Sequence, residues 1–330
     1  MPRVCVIGDG GWGTALGLLL RSHGCDVTMW GPFEEGLQAI RESGENTKFL
    51  PGIQLPADLR WVSDPVEAVQ GAEIVVLASP SRFFASVCER FRGLLPAGAD
   101  VVSVAKGLCE QTHRRMTEVA AEALGVPSVA ALSGPSHAEE VARGIPTAVV
   151  IAARDKALSG RLQDVFSGPR FRVYTSGDPV GVELGGAVKN VIAVAVGISD
   201  GLGFGDNTRA ALITRGLSEM ARLGATLGAL PETFFGLSGM GDLVVTCTSR
   251  HSRNRGVGER LGRGESLADI QRSMAQVAEG VWNCHIAVAL ASKHGVEMPI
   301  SEQVFAVLQG TLAPGDAVAT LMERDTKPER

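Results

Sequence analysis

The chain has 330 residues, about two domains at roughly 100–200 residues each, which excludes a small binding module and allows a core without disulfide or metal staples. Its 45% hydrophobic and 20% charged residues are the balance of a folded globular protein, not of a disordered or collagen-like chain. With 31 Lys+Arg against 36 Asp+Glu the formal net charge is -5, so the broad basic field needed for sequence-independent nucleic-acid binding is missing.

A single Arg3 and a short apolar run ending at Gly8 are too brief for a signal peptide, which points to the cytoplasm. Residues 3–7 (RVCVI) predict a strand, 13–22 a helix with apolar residues at helical spacing, and 27–30 (VTMW) a second strand, one βαβ unit of the usual length. Apolar runs at 74–78, 101–105, 128–132, 147–153 and 171–174 predict further strands separated by helical segments, one of them opened by Asp64-Pro65. Continuous apolar strands alternating with helices predict an α/β fold, a Rossmann-type doubly wound, mostly parallel sheet covered on both faces. After about Asp178-Pro179 the sequence reads as Ala/Leu/Gly-rich helix to its end, so residues 1–180 are expected to form a dinucleotide-binding domain and 181–330 an all-α C-terminal domain for substrate and catalysis. The most apolar later stretch, 188–198, holds Lys189 and Asn190 and falls short of the roughly 20 residues that cross a bilayer, so no membrane span is expected. The cysteines at 5, 25, 88, 109, 247 and 284 show no C-x-x-C pairing and no zinc spacing, which predicts reduced core thiols and no metal site.

Gly8-Asp9-Gly10-Gly11-Trp12-Gly13 is a G-x-G-x-x-G between strand and helix. Gly8 suits the tight turn, Gly10 the close approach of a pyrophosphate and Gly13 helix-on-strand packing, while the helix N-terminus supplies N–H donors. Asp9 places negative charge in this turn without an evident purpose. The acid that would bond an NAD ribose should follow Trp30, where the chain has Gly31-Pro32-Phe33, with Glu34 and Glu35 later. No arginine stands there for a 2′-phosphate, so NAD(H) and NADP(H) stay open, with a lean to NADH.

Hydride chemistry also needs a proton donor and a substrate clamp. Lys189 is the one cation in an apolar helical run, where desolvation would bring it into acid–base range; the alternative is a lysine that snorkels to the surface. Glu183 and Asn190 are candidates to hold it. Asp242 lies between glycines and apolar residues, and Ser252-Arg253-Asn254-Arg255 is a donor-rich run suited to a phosphate or, equally, to a surface loop; Asn207-Thr208-Arg209 is as ambiguous.

In order over nearly the whole chain, GDGGWGTA, VAKGL, LSGPSHAEEV, GVELGGAVKNVIAVAVGISDGLGFGDNTRAALITRGL, GDLVVTCTSRHSRNR, VAEG and GVEMPI resemble bacterial-type NAD(P)-dependent glycerol-3-phosphate dehydrogenases. The resemblance implies reduction of dihydroxyacetone phosphate to sn-glycerol 3-phosphate for glycerophospholipid synthesis, with a phosphorylated small molecule as substrate and a homodimer as the assembly. It makes Lys189 the proton acceptor in oxidation and the donor in reduction. Lys106, Gly134, Ser136, Asp242, Ser252, Arg253 and Asn254 would line the substrate. Lys106 and Arg253 would also meet the cofactor, with Ala138, Val277 and Glu279 near its nicotinamide half, Gly11 and Trp12 at the pyrophosphate, and Pro32 at the adenosine end. Gly11 stands where the family often has Ser, and Asp9 where it often has Ala. Two rivals are a related β-hydroxyacid dehydrogenase, which would grip a carboxylate, and a catalytically dead nucleotide sensor.

Overall fold

The computed structural model describes residues 1–274, 278–326 and 328. The chain opens with β1 (Arg3–Ile7), α1 (Gly11–Ser22), β2 (Asp26–Trp30) and α2 (Glu34–Ser43). Then come β3 (Arg60–Val62), α3 (Pro65–Ala68), β4 (Ile74–Leu77), α4 (Ser81–Arg90), β5 (Asp100–Ser103) and α5 (Met116–Leu124). The sheet is completed by β6 (Ala130–Ser133), α6 (Ala138–Ala142), β7 (Thr147–Ala152), α7 (Lys156–Phe166) and β8 (Phe171–Ser176).

The strands form one sheet in the order β3-β2-β1-β4-β5-β6-β7-β8. The first six run parallel, β7 is antiparallel to β6, and β8 is parallel to β7. All four β4 residues, Ile74–Leu77, are buried, as expected of a strand covered by helices on both faces. β3 is the strand that the sequence pattern does not announce: three residues at the sheet edge, one of them exposed, carry no periodicity. The parallel strands end on one edge, so the loops after β1, β2, β4, β5 and β6 share a crevice where open α/β sheets take ligands.

Among the described residues everything after β8 is helical. α8 (Pro179–Gly201) leads, followed by α9 (Asp206–Thr226), a 3-10 turn over Pro231–Phe235 and a π turn over Leu237–Gly241. Then come α10 (Asp242–Thr248), α11 (Arg253–Gly262), α12 (Leu267–Ser273), α13 (Glu279–His294), α14 (Pro299–Leu308) and α15 (Pro314–Met322). Asp178 starts α8: its carboxylate accepts from Gly181 N at 2.9 Å, and also from Leu230 N at 2.9 Å and Thr233 Oγ1 at 2.6 Å, tying the helix start to the 3-10 segment.

α8 has 23 residues, longer than its apolar stretch suggests, because Glu183, Lys189 and Asn190 continue the helix instead of ending it. By length and apolarity it could cross a bilayer, but every residue of its most apolar window is buried inside the protein, so it is the core of the helical half. All six cysteines are buried and unbridged; burial pushes the Cys5, Cys88 and Cys247 thiols up to about 12.

α11 lies directly on α8 through glycines on both helices. A Cβ at Gly258 would overlap the Val194 carbonyl oxygen, and one at Gly197 the Arg255 carbonyl oxygen. This close crossing sets the start of α11 against the middle of α8, where Lys189 stands. Gly258→Ala should therefore cost about 1–3 kcal/mol of stability through overpacking, read as a lowered denaturant midpoint; an unchanged midpoint would contradict this packing.

Candidate active site

The glycine turn after β1 is shaped to receive a phosphate. Gly8 holds φ at +130°, and a Cβ there would stand 2.8 Å from the Ala78 carbonyl carbon and oxygen, so the backbone just after β4 closes that side. At Gly10 no atom lies within 4 Å of a Cβ position, leaving an open cradle at the N-cap of α1, which has no side-chain cap and no acid in its first turn. Gly13 packs on Gly8, so the helix sits tight on the strand. At Gly11 the Phe49 carbonyl oxygen would lie 2.5 Å from a Cβ, so the turn is closed to a side chain on that side. Trp12 Nε1 is buried without a hydrogen-bond partner among the described residues, a donor left for a ligand. These features fit a dinucleotide pyrophosphate bound by backbone N–H groups at a helix N-terminus.

Farther along the same edge, Lys106 follows β5, and Gly134 and Ser136 follow β6. Lys106 Nζ donates to Gly134 O at 2.8 Å and to Ser136 Oγ at 3.2 Å. It also lies 2.9 Å from Asp242 Oδ2, an ion pair lying off the hydrogen-bond direction. Gly134 takes φ +145°, a conformation that disfavours side chains.

The helical half completes the cluster. Lys189 is 4% exposed, which dismisses the snorkelling alternative. Its Nζ donates to Asp242 Oδ1 and, at 2.8 Å, to Thr246 Oγ1. Burial brings the Lys189 ammonium down to about 7 despite the opposing pull of Asp242, and Lys106 adds to the lowering. Asp242 is 1% exposed. Burial pushes its carboxyl up, but Lys106 and Lys189 outweigh that and hold it below its ordinary value.

Glu183, a candidate support for Lys189, is turned elsewhere. It accepts from Arg115 Nη1 at 2.7 Å and from Thr117 N and Oγ1 at 2.9 and 2.6 Å, tying α8 to α5. Six residues along a helix is about 240° around it, so Glu183 and Lys189 leave on different faces. Asn190 belongs to the site by a different route. Its Nδ2 donates to Lys106 O at 3.1 Å and its Oδ1 accepts from Asn254 Nδ2 at 2.8 Å. Asn254 Oδ1 in turn accepts from Gly280 N at 2.8 Å. Ser252 caps α11, accepting from Arg255 N at 3.2 Å, and Arg253 stands on the first turn, where desolvation lowers its guanidinium against the opposing charges of Glu279 and Glu139.

Two arginines of the polar runs are held in ion pairs. Arg255 pairs with Asp200 at 2.7 Å and Arg209 with Asp200 at 2.9 Å. Glu279 is bound to Ser81, accepting from its main-chain N at 3.0 Å and from its Oγ, which latches α13 to the start of α4. Ala138 stands at the start of α6 beside Gly11, Pro32 follows β2, and Val277 lies outside the described residues.

Three residues escaped the sequence reading. Thr246 sits one turn past Asp242, an i,i+4 spacing that puts both on one face. Asn283 is fully buried, donating to Lys106 O at 3.1 Å and accepting from Leu108 N at 3.3 Å, so it and Asn190 both hold the Lys106 carbonyl. A lone asparagine in the apolar stretch of α13 was the available signal. His137, the N-cap residue of α6, has Nε2 buried without a partner among the described residues and its ring 6.0 Å from that of His251. Burial, then Lys106 and Lys189, push its imidazole below the ordinary value.

The chain matches the family described as NAD-dependent glycerol-3-phosphate dehydrogenase N-terminus over residues 3–159 and the one described as its C-terminus over residues 178–319. It is 50% identical over 321 residues to glycerol-3-phosphate dehydrogenase (NAD(P)+) of Moorella thermoacetica, 97% of this chain and 96% of that protein. It is 51% identical over 332 residues to the protein of that name from Geobacter sulfurreducens, 99% of each. The crystal structure of glycerol-3-phosphate dehydrogenase from Coxiella burnetii superposes with a TM-score of 0.94 at 42% identity, covering 98% of this chain and 99% of that one.

Removing the shared carboxylate exposes the cost of the cluster. Asp242→Ala leaves two ammonium groups without their counter-charge and should destabilise the protein by about 3–5 kcal/mol. Chemical denaturation at pH 6 measures this, and a loss below about 1 kcal/mol would show the pair to be dispensable.

Proposed function

Because the chain belongs to the NAD-dependent glycerol-3-phosphate dehydrogenase family, we propose that it reduces dihydroxyacetone phosphate to sn-glycerol 3-phosphate, reversibly, for glycerophospholipid synthesis. The observation that carries this reading is Lys189, buried and brought to about 7 beside Asp242, on a helix facing the sheet edge that begins with an open glycine turn. Residues 1–180 are read as the dinucleotide-binding domain and 181–330 as the substrate domain. On family resemblance the enzyme is a cytoplasmic homodimer.

Gly8, Gly10, Gly11, Trp12 and Gly13 would hold the pyrophosphate of NAD(H) or NADP(H), Pro32 its adenosine end, and Ala138, Val277, Glu279, Lys106 and Arg253 its nicotinamide half. Bound there, the dinucleotide supplies the hydride. The substrate phosphate is assigned to Ser252, Arg253 and Asn254 at the start of α11, where a guanidinium and helix N–H groups meet an anion. Gly134 and Ser136 line the same place, and Lys106 supplies charge from the sheet side. Such positioning can contribute about 7–11 kcal/mol to a reaction between oriented groups. Lys189 Nζ gives its proton to the oxygen on C2 as that oxygen gains charge, and takes it back in oxidation. Asp242 orients Lys189 and keeps a cation affordable in a buried place.

With Lys189 near 7, its proton is present below that pH and absent above it. Reduction should therefore lose kcat/KM as pH rises through about 7, and oxidation should gain it. Lys189→Met should remove about 10²–10⁴ of kcat in both directions while NADH still quenches protein fluorescence. Near-normal turnover would remove Lys189 from the reaction.

Arg253→Ala should raise KM for dihydroxyacetone phosphate about 10–100-fold, the equivalent of one charge-assisted hydrogen-bonding group, with a smaller change in kcat. An unchanged KM would refute its phosphate role.

A further inference from the structure

Asp9 lies in the glycine turn, and nothing in the reaction described above requires a carboxylate there. Its side chain points across the turn to the end of β2. A Cβ built on Gly31, the first residue after that strand, would lie 3.0 Å from both Asp9 Cβ and Asp9 Cγ, and 2.7 Å from Leu37 Cδ2. The space beside the strand end is thus closed to a side chain from residue 31 and filled by the one from residue 9. Gly31 N is anchored to Val62 O at 3.2 Å, and Gly8 N to Trp30 O at 2.9 Å, so turn and strand end are held together by main-chain bonds.

The end of the second strand is where dinucleotide-binding sheets place the acid that bonds the adenosine ribose. The other acids nearby are unavailable or remote from the turn. Glu34 is occupied, accepting from Arg41 and from Ser63 Oγ at 2.6 Å. Arg41 is in turn drawn back to Trp61 O at 3.0 Å and so is not presented to a 2′-phosphate. Glu35 is exposed on α2. Asp9 is half-buried and its main-chain oxygen accepts from Asn46 Nδ2 at 2.8 Å; burial raises its carboxyl above the ordinary value, with a main-chain hydrogen bond and the charge of the exposed Lys48 opposing.

We propose that Asp9 sets the dinucleotide preference of this chain, taking the place of the missing acid at the end of β2 by accepting from the ribose 2′-hydroxyl and repelling a 2′-phosphate. The assignment rests on the glycine turn holding the dinucleotide, as above. It makes the chain NADH-preferring, and it gives the Asp9 and Gly31 pair one purpose: the carboxylate reaches the ribose position from the turn because the strand end has no side chain to offer.

The test is calorimetric titration of the full chain with NADH and with NADPH, in the absence of substrate, for the native protein and for Asp9→Asn and Asp9→Ala. The native protein should bind NADH about tenfold or more tightly than NADPH, and both variants should narrow that ratio at least about fivefold, chiefly by tightening NADPH, as expected when a like charge is removed. Adenosine diphosphoribose and its 2′-phosphate should reproduce the ratio, locating it at the adenosine end. A native preference for NADPH, or a ratio unchanged in both variants while NADH still binds, would overturn the role of Asp9 alone. Failure of the native protein to bind either dinucleotide would overturn the cofactor site and the Asp9 assignment together.

Discussion

A carboxylate 1% exposed would be costly without partners, and Asp242 has two, one from each half of the chain. Lys189 reaches it from the centre of α8, and Lys106 from the loop after β5. Asp242 cannot leave without stranding two ammonium groups, so the sheet edge and the helical half are held in one arrangement around this group. The same pairing leaves Lys189 poised: burial lowers it, Asp242 opposes, and the balance falls near neutral pH. An ammonium group poised near neutral pH and a buried counter-ion thus come from a single cluster.

Neutral contacts reinforce that arrangement. The Lys106 carbonyl accepts from both Asn190 and Asn283, fixing the loop after β5 on α8 and α13. Ser81 and Glu279 make a second bridge between the start of α4 and the start of α13. On the helical side, the glycine crossing of α8 and α11 brings Asn254 within 2.8 Å of Asn190, one residue from the lysine. The backbone approach that excludes side chains from that crossing is therefore also what sets the start of α11 beside Lys189. The loop that carries Lys106 is thus fixed by side chains standing on helices, as suits a site needing fixed geometry.

Central strands such as β4 were legible because a parallel strand covered on both faces is apolar throughout, and the edge strand β8 showed instead as an alternating run. β3 was not, being three edge residues with no pattern. Lys189 stood out as one charge in an apolar helix, but its bond to Asp242 spans 53 residues and no periodicity records it. Glu183 was drawn in as a neighbour by sequence proximity, and helix geometry sends it to Arg115 instead. Arg255 looked like part of a phosphate grip, whereas Asp200 claims it. Asp9 was visible as an oddity in the glycine turn; its meaning needed the end of β2 beside it. In each case the residue type was readable and the partner was not, because partners are set by tertiary packing.

The proposed reaction needs a buried lysine and a phosphate-gripping helix start to act on one small substrate. It is tested most directly by following NADH and NADPH absorbance when the purified protein meets dihydroxyacetone phosphate, unphosphorylated dihydroxyacetone, or a β-keto carboxylate. The kcat/KM for the phosphate ester should exceed that of the other two by about 1000-fold or more, the weight of an anchored anion in orienting a substrate. Equal rates with dihydroxyacetone, or faster turnover of the carboxylate, would contradict it.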